Sequence, residues 1–325
     1  MEDALFSRDV AAANNIARPT GPLEEDPNLQ EVINWFTKQP ELERRFGQSI
    51  RQSIDEVLDG QRTGRFNIDE LEKTEKTYLG TKVEIILRAE FRLGRGRDMD
   101  YSIATHEVDS KFTIGENWTI PGEADQHICL LARASDHKAN YRAGLLRIHS
   151  EFLNAGKNRD GKRTLSTAGR SAVRWIIPDG KLPENILLTL SSEERAAIFN
   201  ASAGHRSSGN GGQSRTNELF RRVQERLINR NTVLTVARQD DSPKRVRDAR
   251  IHLRGDGIMI LGHMKQHPHI ARDLGLPVPD KGSWVAVRVA EVTASDSARR
   301  TTRISGKDYA IWQKGDRDDV APAEY

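Results

Sequence analysis

An apolar helical stripe that leads into two alternating segments constrains the fold of this chain more than any other stretch of its 325 residues. Apolar side chains recur at four-residue spacing, at Leu79, Val83, Leu87 and Phe91, which predicts a helix with one buried face. Glycines then interrupt the pattern, and residues 98–103 and 107–114 alternate between polar and apolar, as strands do. We therefore expect a helix followed by a hairpin that turns at Thr105 and His106.

Three acids and one lysine fall on these elements. Glu84 lies beside the buried stripe of the helix, and Asp100 lies on the first strand. Asp109 and Lys111 are two residues apart on the second strand and so share one face. Carboxylate oxygens are the ligands that Mg²⁺ prefers, and a neighbouring amine can orient or deprotonate a water molecule. The set suits metal-assisted phosphodiester hydrolysis, although an exposed hairpin with surface salt bridges would show Asp-x-Lys as well.

Composition bounds the class of protein. A chain of 325 residues, 36% hydrophobic and 30% charged, is expected to be globular with about two domains. Its net charge of +3 is too small to indicate a nucleic-acid partner, so the placement of the cations matters more than their sum. The single cysteine, Cys129, cannot form an internal disulfide, and its apolar neighbours predict a buried packing residue in a reducing compartment. Because no apolar run reaches membrane-spanning length, we expect a cytoplasmic protein that does not contact a membrane.

Turn signals and composition divide the chain into four segments. Residues 1–27 are polar and contain several prolines, which predicts a flexible N-terminal tail. Residues 28–178 contain the catalytic elements and end at the turn-forming Pro178-Asp179-Gly180. Residues 179–315 are expected to form a second domain, and residues 316–325 a disordered tail.

Basic residues recur across this second domain. An amphipathic helix over residues 213–228 is followed by the strand-like segment 232–237, the basic segment 244–247 and the strand-like segment 258–261. Two helices, the second of them basic, followed by a small hairpin describe a helix-turn-helix with a wing. The alternative is a packing helix with a solvated face, since long arginine stems often cover apolar surface.

Cations beside the catalytic helix and in the second domain are the expected DNA contacts, because phosphate contacts dominate such interfaces. Those near the catalytic helix are Arg62, Arg65, Lys73 and Lys76. Those of the second domain, with two amide side chains, are Gln213, Arg215, Asn217, Arg221, Arg222, Arg226, Lys244, Arg245 and Arg247.

Several motifs resemble the NaeI family of type IIE restriction endonucleases, from about residue 59 to beyond residue 289. In the first half these are Asp59-Gly60-Gln61-Arg62-Thr63-Gly64-Arg65, Lys73-Thr74-Glu75-Lys76-Thr77, Gly80-Thr81, Val83-Glu84-Ile85, Asp100-Tyr101, Val108-Asp109, Lys111-Phe112 and His127-Ile128-Cys129-Leu130. In the second half they are Asn217-Glu218-Leu219-Phe220-Arg221-Arg222-Val223 and Asp273-Leu274-Gly275-Leu276-Pro277-Val278-Pro279. Together they are specific to that family.

The resemblance implies a function and a fold. The family's catalytic residues fall on Glu84, Asp100, Asp109 and Lys111, with the three acids as Mg²⁺ ligands. The implied fold is mixed α/β, with a restriction-endonuclease-like mixed sheet flanked by helices and a C-terminal winged helix-turn-helix domain. The implied enzyme is a homodimer that cuts both strands of a palindrome in double-stranded DNA, leaving 5′-phosphate and 3′-hydroxyl ends. Binding of a second DNA site by the C-terminal domain is implied to activate cleavage.

Two other functions stay open at this point. A non-catalytic winged-helix regulator would carry the acidic hairpin as a structural element and would not cut DNA. A structure-directed repair nuclease would cut branched or damaged DNA without respect to a fixed sequence. An Mg²⁺-dependent cleavage assay on duplex DNA separates the regulator from an endonuclease.

Overall fold

The computed structural model describes residues 26–201, 211–292 and 299–325. The backbone separates into two compact units. The first comprises Met1–Ser53, of which residues 26 onward are described, and Lys73–Pro183. The second comprises Ile54–Glu72 and Glu184–Tyr325.

Helices and strands alternate along most of the described chain. The helices are α1 Pro27–Thr37, α2 Leu42–Leu58, α3 Gly60–Thr63, α4 Lys73–Phe91, α5 Thr167–Ala172, α6 Ile186–Thr189, α7 Ser192–Asn200, α8 Gly211–Arg222, α9 Arg230–Ala237, α10 Ser242–His252 and α11 His267–Asp273. Short 3-10 helices lie at Ile68–Glu70, Gly122–Ala124, Ser150–Phe152 and Arg254–Asp256. The strands are β1 Gly94–Arg95, β2 Tyr101–Ile103, β3 His106–Thr113, β4 Thr119–Ile120, β5 Ile128–Ser135, β6 Asn140–Arg147, β7 Leu153–Lys157, β8 Arg163–Leu165, β9 Arg174–Lys181, β10 Leu227–Asn229, β11 Ile258–Leu261, β12 Ser283–Val292, β13 Thr301–Ile304 and β14 Lys307–Ile311.

A mixed sheet organises the first unit. Its strand order within the described chain is β1-β2-β3-β5-β6-β9. β3 and β5 pair in parallel, which sets Asp109 opposite Cys129, whereas the other neighbours pair antiparallel. The hairpin turns at Ala104 and Thr105, whose φ angles are 49° and 71°, one residue earlier than expected. The mixed α/β fold class predicted from the sequence is confirmed.

Helices flank this sheet as their apolar spacing predicts. α4 packs on β3 and buries all four residues of the predicted stripe. α1 packs on β6, and its Phe36 is fully buried. The small antiparallel sheet β4-β8-β7 covers a further apolar cluster around Trp118.

The second unit combines a helical core with antiparallel strands. α8, α9 and α10 share a core that includes Phe220, Val236 and Ala249. β10 lies between α8 and α9 in sequence, and β11 follows α10. Both strands pair antiparallel with β12, which also pairs with β14.

Residues 232–237, which we expected to be a strand, form most of helix α9. The expectation rested on their β-branched side chains, but Asn229 caps a helix here by accepting a hydrogen bond from the Thr232 amide at 2.8 Å. Val233 and Val236 are buried at helical spacing, so tertiary packing outweighs the strand preference. The basic segment 244–247, expected between two strands, lies in α10 instead.

The segment boundaries also differ from those expected. β9 runs through Pro178 to Lys181, which an edge strand tolerates because its outer amides need no partner in the sheet. Residues 316–325, expected to be disordered, pack on the second unit: Ala321 is buried and the Tyr325 hydroxyl accepts a hydrogen bond from the Ile260 amide at 2.9 Å. The expected N-terminal tail lies outside the described residues except for its last two, which begin α1.

None of the helices in the described part of the chain is both long and apolar enough to cross a membrane.

Candidate active site

Helix α4 and the adjacent β2–β3 hairpin of the first unit carry the four predicted catalytic residues. Glu84 lies half-buried in the middle of α4, on the side that packs toward β3. Asp100 immediately precedes β2, and Asp109 and Lys111 lie on β3. Because β2 pairs with β3, the hairpin places Asp100 near Asp109, as the sequence predicted.

Asp109 and Lys111 form a close ion pair. The Lys111 Nζ lies 2.7 Å from Asp109 Oδ2, and the Asp109 side chain is 9% exposed. Asp109 also faces the buried thiol of Cys129, whose Sγ lies 3.5 Å from Oδ2. Burial, first of all, raises the pKa of the Cys129 thiol, so it stays protonated and donates to the carboxylate. The expectation of a buried packing cysteine is confirmed.

The Asp100 side chain is hydrogen-bonded to the backbone of β3. Its Oδ2 accepts a hydrogen bond from the Ser110 amide at 2.7 Å. Burial, and after it the negative charges of Asp109 and Glu84, raise the pKa of Asp100 to about 6, against the lowering effect of that bond. Repulsion among three neighbouring carboxylates is what a bound cation would relieve.

Arg88, one helical turn after Glu84 in α4, holds the Glu84 side chain. The Arg88 guanidinium pairs with the Glu84 carboxylate and also donates to the backbone oxygen of Asp100 at 3.3 Å. The Tyr101 hydroxyl donates to the backbone oxygen of Glu84 at 3.0 Å. Helix and hairpin are therefore joined by hydrogen bonds at the residues that the site requires.

Sequence reasoning missed the residues that support these four. Glu107 accepts hydrogen bonds from the successive amides of Arg97, Asp98 and Met99, at 2.9, 3.0 and 2.8 Å, and so folds the loop that leads into Asp100. These bonds, with that of Arg97 the largest, lower the pKa of Glu107. The four-residue spacing between Glu84 and Arg88 is a signal that could have revealed one supporting residue.

Comparison with known proteins gives the family. A model of the restriction endonuclease NaeI family matches residues 31–322. The chain belongs to the NaeI family. The type II restriction enzyme NaeI from Lentzea aerocolonigenes is 46% identical to it over 306 residues, which cover 92% of this chain and 95% of that enzyme. The resemblance seen in the sequence is confirmed, and with it the enzyme class, that of a NaeI-like type II restriction endonuclease.

The donor chemistry of this NaeI-family site fits a hard divalent cation. Glu84, Asp100 and Asp109 offer carboxylate oxygens, the ligand type that such cations prefer. Within the described residues, however, no three side chains of His, Cys, Asp or Glu converge closely enough to form a metal site. Arg88 and Lys111 neutralise Glu84 and Asp109 in this arrangement.

A surface cleft lies at the far end of β3. It is lined by Lys73, Lys76 and Thr77 of α4 and by residues 112–114. Both lysines are exposed, and Thr113 points to the same face of β3 as Lys111. The cleft therefore carries two of the cations that the sequence predicted to contact DNA.

In the second unit, many of the predicted DNA contacts have partners within the chain. Arg221 pairs with Glu218 and Asp256, and Arg222 also pairs with Glu218. Three others are similarly engaged: Arg226 with Glu184, Arg245 with Asp241 and Arg62 with Asp59. These pairs lower the local positive charge that the sequence pattern suggested.

Other predicted contacts have structural roles. Arg215 donates to the backbone oxygens of Val236 and Ala237 at the end of α9, at 2.6 and 2.7 Å. Gln213 is buried and donates to Asn217 at 2.8 Å. Arg65 donates to the backbone oxygen of Leu58, 3.3 Å away.

The exposed side of α10 differs from that of α8. Lys244 and Arg247 are exposed there, and Lys244 lies no closer than 3.9 Å to its acidic neighbour Asp248. Ile251, one turn after Arg247, is 73% exposed. An apolar side chain set beside two cations is a feature that the sequence analysis did not single out.

Proposed function

We propose that this chain is a Mg²⁺-dependent type IIE restriction endonuclease that hydrolyses double-stranded DNA at a fixed sequence, leaving 5′-phosphate and 3′-hydroxyl ends. The observation that carries the proposal is the ion pair between Asp109 and Lys111, 2.7 Å apart on β3 and next to Asp100. Burial and the two neighbouring carboxylates raise the pKa of Asp100 to about 6. An acid cluster with an adjacent amine suits metal-assisted phosphodiester hydrolysis.

Each residue has a distinct task in this reaction. Type II restriction enzymes generally use a divalent metal ion, which would stabilise charge at the phosphate and lower the pKa of water. Glu84, Asp100 and Asp109 would hold this ion through their carboxylates. Lys111 orients the water that attacks phosphorus in line or, in its neutral form, deprotonates it. The bond from phosphorus to the 3′ oxygen breaks, and that oxygen takes up a proton to leave as the 3′-hydroxyl.

Lys73 and Lys76 bind the DNA strand beside the cut. Both lysines are exposed in the cleft at the end of β3, and Lys111 lies on the same β-strand, next to that end. Ammonium groups there attract the flanking phosphates and fix the position of the scissile one.

The second unit acts as a winged helix. Its order of elements is α8, β10, α9, α10, β11 and β12, with β12 paired to both β10 and β11. Three helices, with β10 after the first and the antiparallel pair β11 and β12 after the third, fit that motif, in which the last helix enters the major groove. α10 then presents Lys244 and Arg247 to DNA, with Ile251 beside them, whereas Arg221 and Arg222 contribute less because they are already paired.

The family resemblance supplies the assembly. The enzyme acts as a homodimer, since a palindrome presents identical half-sites to identical subunits. The second unit binds a second copy of the site and thereby activates cleavage. Activation by a second site is not needed for the basic chemistry, so its test is separate from that of the catalytic residues.

Removing Asp109 or Lys111 tests the catalytic assignment. We expect Asp109→Ala and Lys111→Ala to lower the rate of cleavage of a duplex by at least about 10²–10⁴-fold, the usual contribution of a positioned acid or base. DNA binding measured without Mg²⁺ should stay within a few-fold, because many other cations hold the phosphates.

The matched control is Lys38→Ala, which removes an exposed lysine at the end of α1. It should leave both cleavage and binding unchanged. A parallel loss of binding and cleavage in the Asp109 and Lys111 variants would show that these residues maintain the fold instead. Sequencing the ends of cut fragments from a random DNA pool gives the recognition site and separates a fixed sequence from a preference for branched DNA.

A further inference from the structure

A buried tyrosine and a serine link the three segments that carry the acids. Tyr101 is fully buried, and its hydroxyl donates to the backbone oxygen of Glu84 at 3.0 Å. The same hydroxyl lies 3.2 Å from the hydroxyl of Ser110. The Ser110 amide in turn donates to the Asp100 carboxylate at 2.7 Å.

We propose that Tyr101 and Ser110 are positioning residues that set the spacing between Glu84 on α4 and Asp109 with Lys111 on β3. Neither residue touches the substrate. The inference rests on the proposed function, because it assigns a role within that same site.

The placement of Ser110 makes the link effective. It lies between Asp109 and Lys111, and successive side chains of a strand point to opposite faces. The Ser110 side chain therefore reaches inward to Tyr101 while its two neighbours face the reaction. A shift of α4 relative to β3 would have to break either the bond from the Tyr101 hydroxyl to the Glu84 backbone oxygen or the contact between the Tyr101 and Ser110 hydroxyls, both of them partly buried.

Attachment at Glu84 itself restricts the motion that matters. The Tyr101 hydroxyl donates to the backbone oxygen of Glu84, whose carboxylate is a proposed metal ligand. A rotation of α4 that displaces Glu84 therefore strains this hydrogen bond directly. The Arg88 guanidinium lies over the Tyr101 ring, 5.7 Å from its centroid, while it pairs with the Glu84 side chain. Backbone and side chain of Glu84 are thus held by groups that meet at one aromatic ring.

Tyr101→Phe removes this hydroxyl and keeps the ring. Tyr141→Phe is the matched control, since Tyr141 is also a buried tyrosine of the first unit, and its hydroxyl donates to the backbone oxygen of Glu43 at 2.5 Å. Ser110→Ala removes the link from its other end. All variants are made in the full chain, and their melting temperatures show the purely structural cost.

The measurements are kcat and KM on a duplex that the unaltered enzyme cuts, and the affinity for Mn²⁺ by calorimetry. We expect Tyr101→Phe and Ser110→Ala to lower kcat and to weaken Mn²⁺ binding, each by about 10–100-fold, as loss of outer-shell support does at metal sites. KM for DNA should stay within about twofold, because the phosphate contacts are intact. Tyr141→Phe should lower the melting temperature and leave kcat and Mn²⁺ affinity unchanged.

The inference is overturned if Tyr101→Phe, or Ser110→Ala should the first variant fail to fold, matches Tyr141→Phe in kcat and Mn²⁺ affinity. Unaltered protein that neither binds Mn²⁺ nor cuts DNA would instead overturn the proposed function itself. The two failures are therefore distinguishable in one set of experiments.

Discussion

Asp100 is subject to opposing influences at the scale of one residue. Burial, and then the charges of Asp109 and Glu84, make its ionised form costly, whereas the hydrogen bond from the Ser110 amide favours that form. The balance leaves the pKa of Asp100 raised to about 6. A carboxyl group in this condition is poised to accept a cation, because the ion replaces the proton that would otherwise neutralise it.

This raised pKa predicts a pH dependence of stability in the metal-free protein. A carboxyl group whose pKa is higher in the folded than in the unfolded state binds its proton more tightly when folded. The free energy of unfolding should therefore fall as pH rises from about 4, the ordinary pKa of an aspartate, to about 6. Denaturant midpoints measured across this range in the presence of a chelator check the expectation.

Asp100→Asn should remove this decline, since the amide does not ionise. Asp98→Asn, in the same loop but with its side chain 60% exposed, is the control and should retain the decline. If Asp100→Asn keeps the full pH dependence, the cost of ionisation lies elsewhere in the protein.

At the scale of elements, glycine marks a close approach within the second unit. A Cβ atom on Gly60 in α3 would overlap Thr235 of α9 and lie 2.7 Å from the backbone oxygen of Arg65. The motif Asp59-Gly60-Gln61-Arg62, which helped to reveal the family, thus packs against the middle helix of the proposed winged helix. The close packing of α3 on α9 explains why glycine occupies position 60, and the sequence alone does not reveal that contact.

Gly60→Ala should destabilise the protein by about 1–3 kcal/mol, the usual cost of forcing an extra methyl group into a packed contact. Gly80→Ala, inside α4 with no atom within 4 Å of a Cβ, should instead stabilise it by about 0.5–1 kcal/mol, because alanine favours helix. Denaturation midpoints of the two variants measure both effects. Equal shifts in the same direction would contradict the packing of α3 on α9.

The whole molecule carries 50 basic and 47 acidic residues, so its affinity for DNA depends on where the charges lie. Pairing within the chain occupies Arg221 and Arg222 on α8. The exposed side of α10 keeps Lys244 and Arg247 at the surface. We therefore place the second DNA site on α10.

Adding a second cognate duplex in trans should accelerate cleavage of the first. The double variant Lys244→Ala with Arg247→Ala should lose this acceleration and retain basal cleavage. Its salt dependence of DNA binding should become shallower by about one unit of slope for each phosphate contact removed. Arg221→Ala with Arg222→Ala is matched in charge and should have a smaller effect. A rate that does not respond to the second duplex in the unaltered enzyme would rule out activation by a second site.

The sequence by itself determined the features that depend on local pattern and on residue type. The stripe on α4, the alternation of β3 and the four polar residues of the site could be read directly, since periodicity fixes which side chains share a face. The family motifs added the enzyme class.

Tertiary structure alone decided the features that join distant residues. Periodicity shows which face of an element is buried, but not which residues pack against that face. The parallel pairing of β3 with β5 and the contact between Tyr101 and Ser110 could therefore not be predicted. The same reason explains why residues 232–237 form a helix and residues 316–325 are packed: burial in a common core outweighs local propensity and polar composition. Two of the ion pairs that occupy predicted DNA-contacting cations, Arg221 with Asp256 and Arg226 with Glu184, likewise join residues far apart in the sequence.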